Sequence, residues 1–147
     1  MLIKTLKVQN WLWISAMSLI QDTYEDYLKA IYIVSKKNKG GWVSNSEISD
    51  FLKVKPASVS NMLFKLQTND LINWRPRKSV RLSTKGKDIA IGTINKYNLW
   101  KSFFINILGV NDSFELDELC CKIEHFVTPE ISDALENLLL EEVQENL

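Results

Sequence analysis

Apolar side chains recur at helical spacing along most of the chain, and turn-forming residues divide this pattern into segments. The first segment follows Asp22-Thr23, where an N-cap and acidic residues in the first turn favour the start of a helix. Gly40-Gly41 interrupts the pattern, so we expect a first helix over about 23–37. Its apolar stripe consists of Tyr24, Tyr27, Leu28, Ile31 and Val34.

Two shorter helical segments follow. Ser44 or Ser46 is placed to cap a helix over 47–52, and Pro56 suits the first position of a third helix that ends near Asn69. The third helix has its own apolar stripe, which predicts that one side faces a core. This stripe consists of Val59, Met62, Leu63 and Leu66.

A basic hairpin comes next. Residues 71–74 and 79–82 are strand-like, and the basic tetrapeptide at 75–78 separates them. The order of helix, short helix, tight turn, helix and hairpin is that of a winged helix-turn-helix.

The second half of the chain predicts three more helices. A long helix opens at Thr84 and stops at Gly109, and a fifth runs over about 114–126. Thr128-Pro129 then opens a sixth helix that ends near the C-terminus. The predicted fold class is therefore mainly α with a small β-hairpin wing, in which a winged helix-turn-helix precedes a helical domain.

We place the winged helix at 22–83 and the helical dimerisation domain at 84–147, after an N-terminal extension at 1–21. The extension contains an apolar run over 11–20 that loosely resembles a signal peptide, yet it is too short to span a membrane as a helix. It shows no convincing cleavage site. We expect an extra helix or a poorly ordered segment, and Met17 is an alternative start.

Charge sharpens the interpretation. The chain has 18 basic and 18 acidic residues, so its formal net charge is zero, but the signs are segregated. The net charge is +1 over 1–52, +9 over 53–101 and −10 over 102–147. The basic block coincides with the predicted turn, third helix and hairpin, which points to a polyanion partner. The alternative is a solvated basic face that the acidic end neutralises.

A recognition helix presents short polar side chains to base edges, while cations on a wing contact phosphates. An asparagine such as Asn61 can pair with adenine through two hydrogen bonds, and Ser58 can contact either a base or a phosphate. We therefore predict a double-stranded DNA interface, with a protein-binding helix-turn-helix as the alternative. The candidate DNA-contacting residues are Lys55, Ser58, Ser60, Asn61, Lys65, Arg75, Arg77 and Lys78.

The cysteines and the single histidine lie close together in sequence. Cys120 and Cys121 are adjacent, which argues against a disulfide framework and favours a reducing, cytoplasmic location. Cys121, Glu124 and His125 share one face of a helix, and such a set can bind a transition metal. A lone histidine on an amphipathic helix is, however, more often only a helix residue.

Five motifs occur in a specific order and spacing: YEDYLKAIY at 24–32, VKPASVS at 54–60, LSTKGK at 82–87, ILGV at 107–110 and IEH at 123–125. Together they resemble the diphtheria toxin repressor family of metal-dependent repressors, which includes the manganese transport regulators. The resemblance implies a winged-helix DNA-binding part and a helical part for metal binding and dimerisation. It also implies the short form of the family, without an SH3-like third domain.

By this resemblance, the primary metal site falls on Asp26, Cys121, Glu124 and His125. Asp26 matches the manganese-type pattern and Cys121 the iron-type pattern, so the donor set is a hybrid. It implies one divalent ion per subunit, Mn or Fe, with Co, Ni and Zn as further candidates.

At the second metal position of the family, this chain departs from the pattern. Lys29, Asn98, Ser102 and Asp117 stand where family members carry ligands. Lys29 lies one helical turn from Asp26, so its ammonium can pair with Asp26 or with Glu124 and replace a metal ion. We favour a sensor of a single metal ion over a metal-independent relative.

The resemblance implies a homodimer that represses metal-uptake genes when metal activates its binding to operator DNA. A regulator of the same family that binds DNA without metal is the first alternative, and an enzyme or an interaction domain is the second. An enzyme is disfavoured because the chain shows no Ser-His-Asp set, glycine-rich phosphate loop or paired catalytic carboxylates. We expect no membrane partner.

Overall fold

The structure is a computed structural model, and it describes residues 23–145. The chain divides into two compact units between Ala90 and Ile91. No helix in the described part of the chain is long and apolar enough to cross a membrane. The predicted extension at 1–21 and the candidate cap at Asp22 lie outside the described residues.

The first unit has the order of elements predicted for a winged helix-turn-helix. It contains α1 (23–35), α2 (Asn45–Leu52), α3 (Pro56–Thr68), β1 (Ile72–Asn73), β2 (Arg81–Leu82) and the start of α4 (Thr84–Ser102). The two strands are antiparallel, with Ile72 opposite Leu82. The strands are shorter than predicted. The Trp74 N–H donates to the side-chain oxygen of Gln67 at 2.7 Å, so it does not form a hydrogen bond between the strands. Val80 pairs instead with Val43.

The stripes predicted for α1 and α3 form the core of the first unit. Tyr24 and Met62 pack at its edge, and the other predicted stripe residues are buried. Residues from the wing and α4 complete the core. The burial of apolar side chains in this shared core stabilises the packing of all the elements of the unit. The buried residues are Tyr27, Leu28, Ile31, Val34, Val43, Ile48, Val59, Leu63, Leu66, Leu71, Ile72, Val80 and Ala90.

A capping box and a left-handed residue fix α2 in the helix-turn-helix. The Ser44 hydroxyl accepts from the Glu47 N–H, and the Glu47 carboxylate accepts from the Ser44 N–H at 2.7 Å. Ser44 is therefore the cap, and the helix begins two residues earlier than predicted. At its other end, Lys53 has φ +53°, and the Ser49 hydroxyl donates to the Val54 carbonyl at 2.6 Å. This closed turn sets the direction of α3.

The second unit is helical. α4 continues as a π-helical turn over Phe103–Ile107, and Gly109 ends it with φ +67°. α5 (Phe114–Ile123) continues as a 3-10 turn over Glu124–Phe126. The last helix is α6 (Pro129–Glu145), whose first turn is capped because the Thr128 hydroxyl accepts from the Ile131 N–H at 3.3 Å. The predicted helix positions are therefore correct, and the two departures from α-helical geometry are new.

The division between the units lies inside α4 rather than at its start. Ala90 belongs to the core of the first unit, so the first two turns of α4 pack with the winged helix. Gly86 permits this packing, since a Cβ atom there would lie 2.0 Å from the carbonyl oxygen of Leu71. The predicted domain boundary between residues 83 and 84 marks where α4 begins, and it stays a prediction.

Candidate nucleic-acid interface and metal centre

The exposed side of α3 carries polar residues that the sequence assigns to DNA contact. Ser58, Asn61 and Lys65 are exposed. Phe64 lies on the same side with 54% of its surface exposed, and its ring meets the Trp74 ring edge-on at a centroid distance of 4.9 Å. Sequence analysis gave Phe64 no role. Its position three residues after Asn61 was the available signal, because residues at that spacing share a helix face.

Ser60 is bound within the protein. It is half-buried, and its hydroxyl accepts from the Asn45 side-chain amide at 2.8 Å and donates to the Pro56 carbonyl at 3.2 Å. The side chain therefore connects α2 to α3 and fixes the angle at which α3 is presented. Its predicted contact with DNA stays a prediction.

The wing presents its cations to solvent. Arg75, Arg77 and Lys78 are all exposed, as is Lys55 immediately before α3. Arg77 has φ +63°, a left-handed conformation that turns the chain at the tip of the wing. Cations on long, exposed side chains are suited to phosphate contacts and need no fixed partner within the protein.

A cleft of about 510 Å³ lies between the wing and the N-terminal ends of α2 and α3. Its walls include Ser46 and Pro56 from the helices and Arg77 and Lys78 from the wing. The N-terminus of α3 has no side-chain cap and can attract an anion, and the wing adds positive charge. The arrangement of this first-unit cleft fits a phosphate backbone.

In the second unit, a buried carboxylate faces an imidazole. Glu124 is fully buried, and its Oε1 lies 3.8 Å from Nε2 of His125. Transition metals bind such atoms at about 2.0–2.2 Å, so two ligand atoms of one ion lie within about 4.2 Å of each other. The pair therefore fits a metal ion. Both residues belong to the 3-10 turn, so the single α-helical face predicted for them and Cys121 is interrupted after Ile123.

The two cysteines differ in environment. Cys120 is fully buried, and burial raises the pKa of its thiol, which keeps that sulfur protonated. Cys121 is partly exposed. Because a thiolate is the form that binds metal, the burial of Cys120 disfavours that residue as a ligand, and the assignment of Cys121 stays a prediction.

The fourth predicted ligand, Asp26, lies on α1 in the first unit. Its Oδ1 is 3.8 Å from Nζ of Lys29, one helical turn away. This distance is that of an ion pair and too long for a hydrogen bond. Asp26 and Glu124 were the two carboxylates predicted to pair with Lys29, and in the first unit Lys29 forms an ion pair with Asp26.

The residues at the second metal position of the family have separate surroundings. Asn98 and Ser102 line an open groove together with Glu136 of α6. Asp117 instead accepts hydrogen bonds from Lys101 at 2.8 Å and from the Tyr97 hydroxyl at 2.6 Å. These contacts were not predicted from the sequence because 16 and 20 residues separate the partners.

Comparison with known proteins gives a consistent result. Residues 20–80 match the N-terminal DNA-binding domain of the iron-dependent repressors, and residues 83–144 match the metal-binding and dimerisation domain of the same family. An uncharacterized HTH-type transcriptional regulator of Methanocaldococcus jannaschii is 31% identical over 116 residues, which cover 79% of this chain and 91% of that protein.

A second relative is the HTH-type transcriptional regulator MntR of Shouchella clausii, which is 30% identical over 78% of each chain. Among solved structures, the manganese regulator SloR superposes with a TM-score of 0.66 at 30% identity. That superposition covers 79% of this chain and 53% of the SloR chain, so the chain matches about half the length of SloR.

Proposed function

The chain belongs to the iron-dependent repressor family, and from this premise we propose that it represses metal-uptake genes by binding operator DNA as a metal-activated homodimer. The family consists of transcriptional regulators and not of enzymes, which confirms the prediction that this chain is not an enzyme. Its members bind DNA and divalent metal ions and dimerise through the second domain.

One observation carries the proposal for DNA. The N-terminal ends of α2 and α3 and two cations of the wing, Arg77 and Lys78, border one cleft of the first unit. Phosphates contacted by Arg75, Arg77 and Lys78 would orient the protein, and Ser58 and Asn61 would read base edges. Phe64 adds an apolar surface that suits the methyl group of thymine.

For the metal, we propose that Asp26, Cys121, Glu124 and His125 hold one divalent ion. The ion supplies a fixed positive charge that these donors share. The thiolate of Cys121 favours iron, cobalt, nickel or zinc, whereas the carboxylates favour manganese or iron. Because ligands come from α1 and from the end of α5, ion binding favours one arrangement of these helices, and DNA affinity rises if that arrangement is the one that binds DNA.

For the dimer, we propose that the second unit supplies the contact between two copies. Its surface exposes large apolar side chains, among them Phe114 at 70% and Phe126 at 68%. Exposed apolar surface of this kind marks a protein interface. Two copies would place their α3 helices in successive major grooves of a palindromic operator, about 34 Å apart.

Fluorescence anisotropy tests the proposal. A labelled operator is first selected from random DNA in the presence of each of Mn²⁺, Fe²⁺, Co²⁺ and Zn²⁺ and in chelator, and binding is then titrated under the same conditions. We expect one or more metals to raise the affinity by roughly 5–150-fold, the usual range for coupled sites. His125→Ala should abolish this increase, whereas Lys122→Ala, at an exposed position of α5, should preserve it.

The outcomes separate the alternatives. Equal affinity in chelator and in every metal would contradict metal control and favour the metal-independent regulator. Selection of no DNA sequence under any condition would contradict operator binding itself.

A further inference from the structure

A lysine is held between two carboxylates in the second unit. Nζ of Lys101, near the end of α4, lies 2.9 Å from Oδ1 of Asp112 and 2.8 Å from Oδ1 of Asp117. The Tyr97 hydroxyl donates to the same Asp117 oxygen at 2.6 Å. These four side chains, here named the Lys101 network, join α4 to the loop before α5 and to the first turn of α5.

The hydrogen bonds of this network favour the charged forms of Lys101 and Asp117. Hydrogen bonds to Asp117 and Asp112 raise the pKa of Lys101, and the Lys101 ammonium in turn lowers the pKa of Asp117. Burial, followed by the hydrogen bond to Asp117, raises the pKa of Tyr97 to about 12. At neutral pH the network therefore contains the Lys101 ammonium, the Asp117 carboxylate and the neutral Tyr97 phenol.

Such an oxygen cluster has the chemistry of a site for a hard divalent ion. Ca²⁺ and Mn²⁺ bind carboxylate and other oxygen ligands, and here two carboxylates lie within hydrogen-bond distance of one cation. The cation between the two carboxylates is the ammonium group of Lys101, which is part of α4. By the family resemblance, three residues of this unit stand at the second metal position: Asn98, Ser102 and Asp117. Asp117 is the only charged residue among these three.

We propose that the Lys101 ammonium is the resident cation of this oxygen cluster and closes it to divalent ions. The network then does two things at once. It fixes the start of α5, whose other end carries Cys121 and leads into the turn with Glu124, and it prevents a second metal ion from binding there. The expected total of one ion per subunit rests on the proposed function, which supplies the single metal site.

Equilibrium dialysis against Mn²⁺ tests the inference through the difference between variants. Lys101→Met should bind one more Mn²⁺ per chain than the unmodified protein, with a dissociation constant on the order of 10⁻⁴–10⁻³ M, as for other weak oxygen sites. The double variant Lys101→Met, Asp117→Asn should lose the additional ion. Lys96→Met removes an ammonium elsewhere on α4 and should leave the stoichiometry unchanged.

The effect of Ca²⁺ on thermal unfolding gives a second readout, because a purely structural role for Lys101 predicts no response to Ca²⁺. Lys101→Met should lower the melting temperature, and millimolar Ca²⁺ should restore it, whereas Ca²⁺ should not change the melting of the unmodified protein. Lys101→Gln, which keeps a hydrogen-bond donor, gives the same comparison if the methionine variant does not fold.

A folded Lys101 variant that binds no additional ion and does not respond to Ca²⁺ would overturn the inference. An unmodified protein that binds two ions, one of which is lost in Asp117→Asn, would also overturn it. If the unmodified protein binds no ion but Lys101→Met binds one, the inference stands and the proposed metal control fails.

Discussion

The two units of the chain bury their apolar residues to different extents. The first unit has a continuous core to which all its helices and the wing contribute, and its large exposed apolar residues in the described part are Trp42, Phe51 and Phe64. The second unit has few buried apolar side chains and nine exposed large ones among the described residues. These are Leu108, Val110, Phe114, Leu119, Phe126, Ile131, Leu138, Leu140 and Val143.

The difference in apolar burial indicates that the two units depend on a partner surface to different degrees. A unit that buries its own apolar surface can keep its shape alone and offer its polar surface to a ligand. A unit that leaves so much apolar surface in water is stabilised when another surface covers it. The charges follow the same division, since the basic block lies in the winged helix and α4 and the acidic block in the last part of the chain.

The closed packing of the first unit should be most sensitive at Gly86. A Cβ atom at this position would meet the Leu71 carbonyl oxygen at 2.0 Å, so the backbone of α4 or of the wing must move. We expect Gly86→Ala to lower the free energy of unfolding by ~3 kcal/mol, as severe overpacking does. Urea denaturation followed by circular dichroism measures it.

Gly92→Ala is the matched control in the same helix. Within the described part of the chain, no atom outside its own local backbone lies within 4 Å of a Cβ there. Alanine should stabilise this helical position by up to ~1 kcal/mol. Equal effects at the two glycines would contradict the close approach of α4 to the wing.

The second unit should be most sensitive on its apolar surface. Leu140 and Val143 are 56% and 59% exposed and lie about one helical turn apart on α6. If a second copy covers them, Leu140→Glu together with Val143→Glu should weaken dimerisation by roughly 100-fold, since buried unpaired charges are costly. Sedimentation equilibrium measures the dissociation constant.

Glu141→Gln serves as the control, because Glu141 is an exposed polar position of α6 beside the two apolar residues. It should leave dimerisation unchanged. A double variant that remains as dimeric as the unmodified protein would mean that another part of the exposed apolar surface forms the contact.

The basic surface of the first unit should determine the salt dependence of DNA binding. Each phosphate contact that is lost reduces the slope of log affinity against log salt by roughly 0.9. Replacement of Arg75, Arg77 and Lys78 with alanine should therefore flatten the slope measurably in anisotropy titrations between about 50 and 200 mM salt. An unchanged slope would show that the wing does not contact phosphate.

A smaller effect is expected at the start of α2. Hydrogen bonds from the Ser44 side chain and backbone lower the pKa of Glu47 below its usual 4.5. A lowered pKa means that the stabilisation is present above about pH 4.5 and is lost as the pH falls through the folded-state pKa. Glu47→Gln should cost roughly 0.5–1 kcal/mol at pH 7, within the range for capping interactions, and nothing near pH 2.

Urea denaturation at the two pH values gives this comparison. A cost that is equal at both would mean that the Glu47 charge plays no part in the cap.

The sequence predicted the first unit better than the second for a physical reason. The stripes of α1 and α3 follow one period and face one core, so the buried residues could be named from spacing alone. The wing strands were predicted too long because the Gln67 side chain, which takes the Trp74 N–H, competes with the ladder. That competition depends on packing and leaves no periodic signal.

In the second unit, local spacing was insufficient. The apolar pattern of α4 runs on through Phe104 to Leu108, so it does not distinguish a π-helical turn from continued α-helix. Cys121, Glu124 and His125 were predicted as metal ligands from their spacing, but the 3-10 turn that contains Glu124 and His125 was not predicted. The contact between Lys101 and Asp117 joins residues that are distant in sequence, and only the folded chain brings them together.

The most direct test is a crystal structure of the protein grown with Mn²⁺, with diffraction data that record the anomalous signal of manganese. We expect one peak per chain, with atoms of Asp26, Cys121, Glu124 and His125 as its ligands, and none between Asp112 and Asp117. No peak at these four ligands would contradict the proposed metal centre, and a peak at the two aspartates would contradict the role given to Lys101.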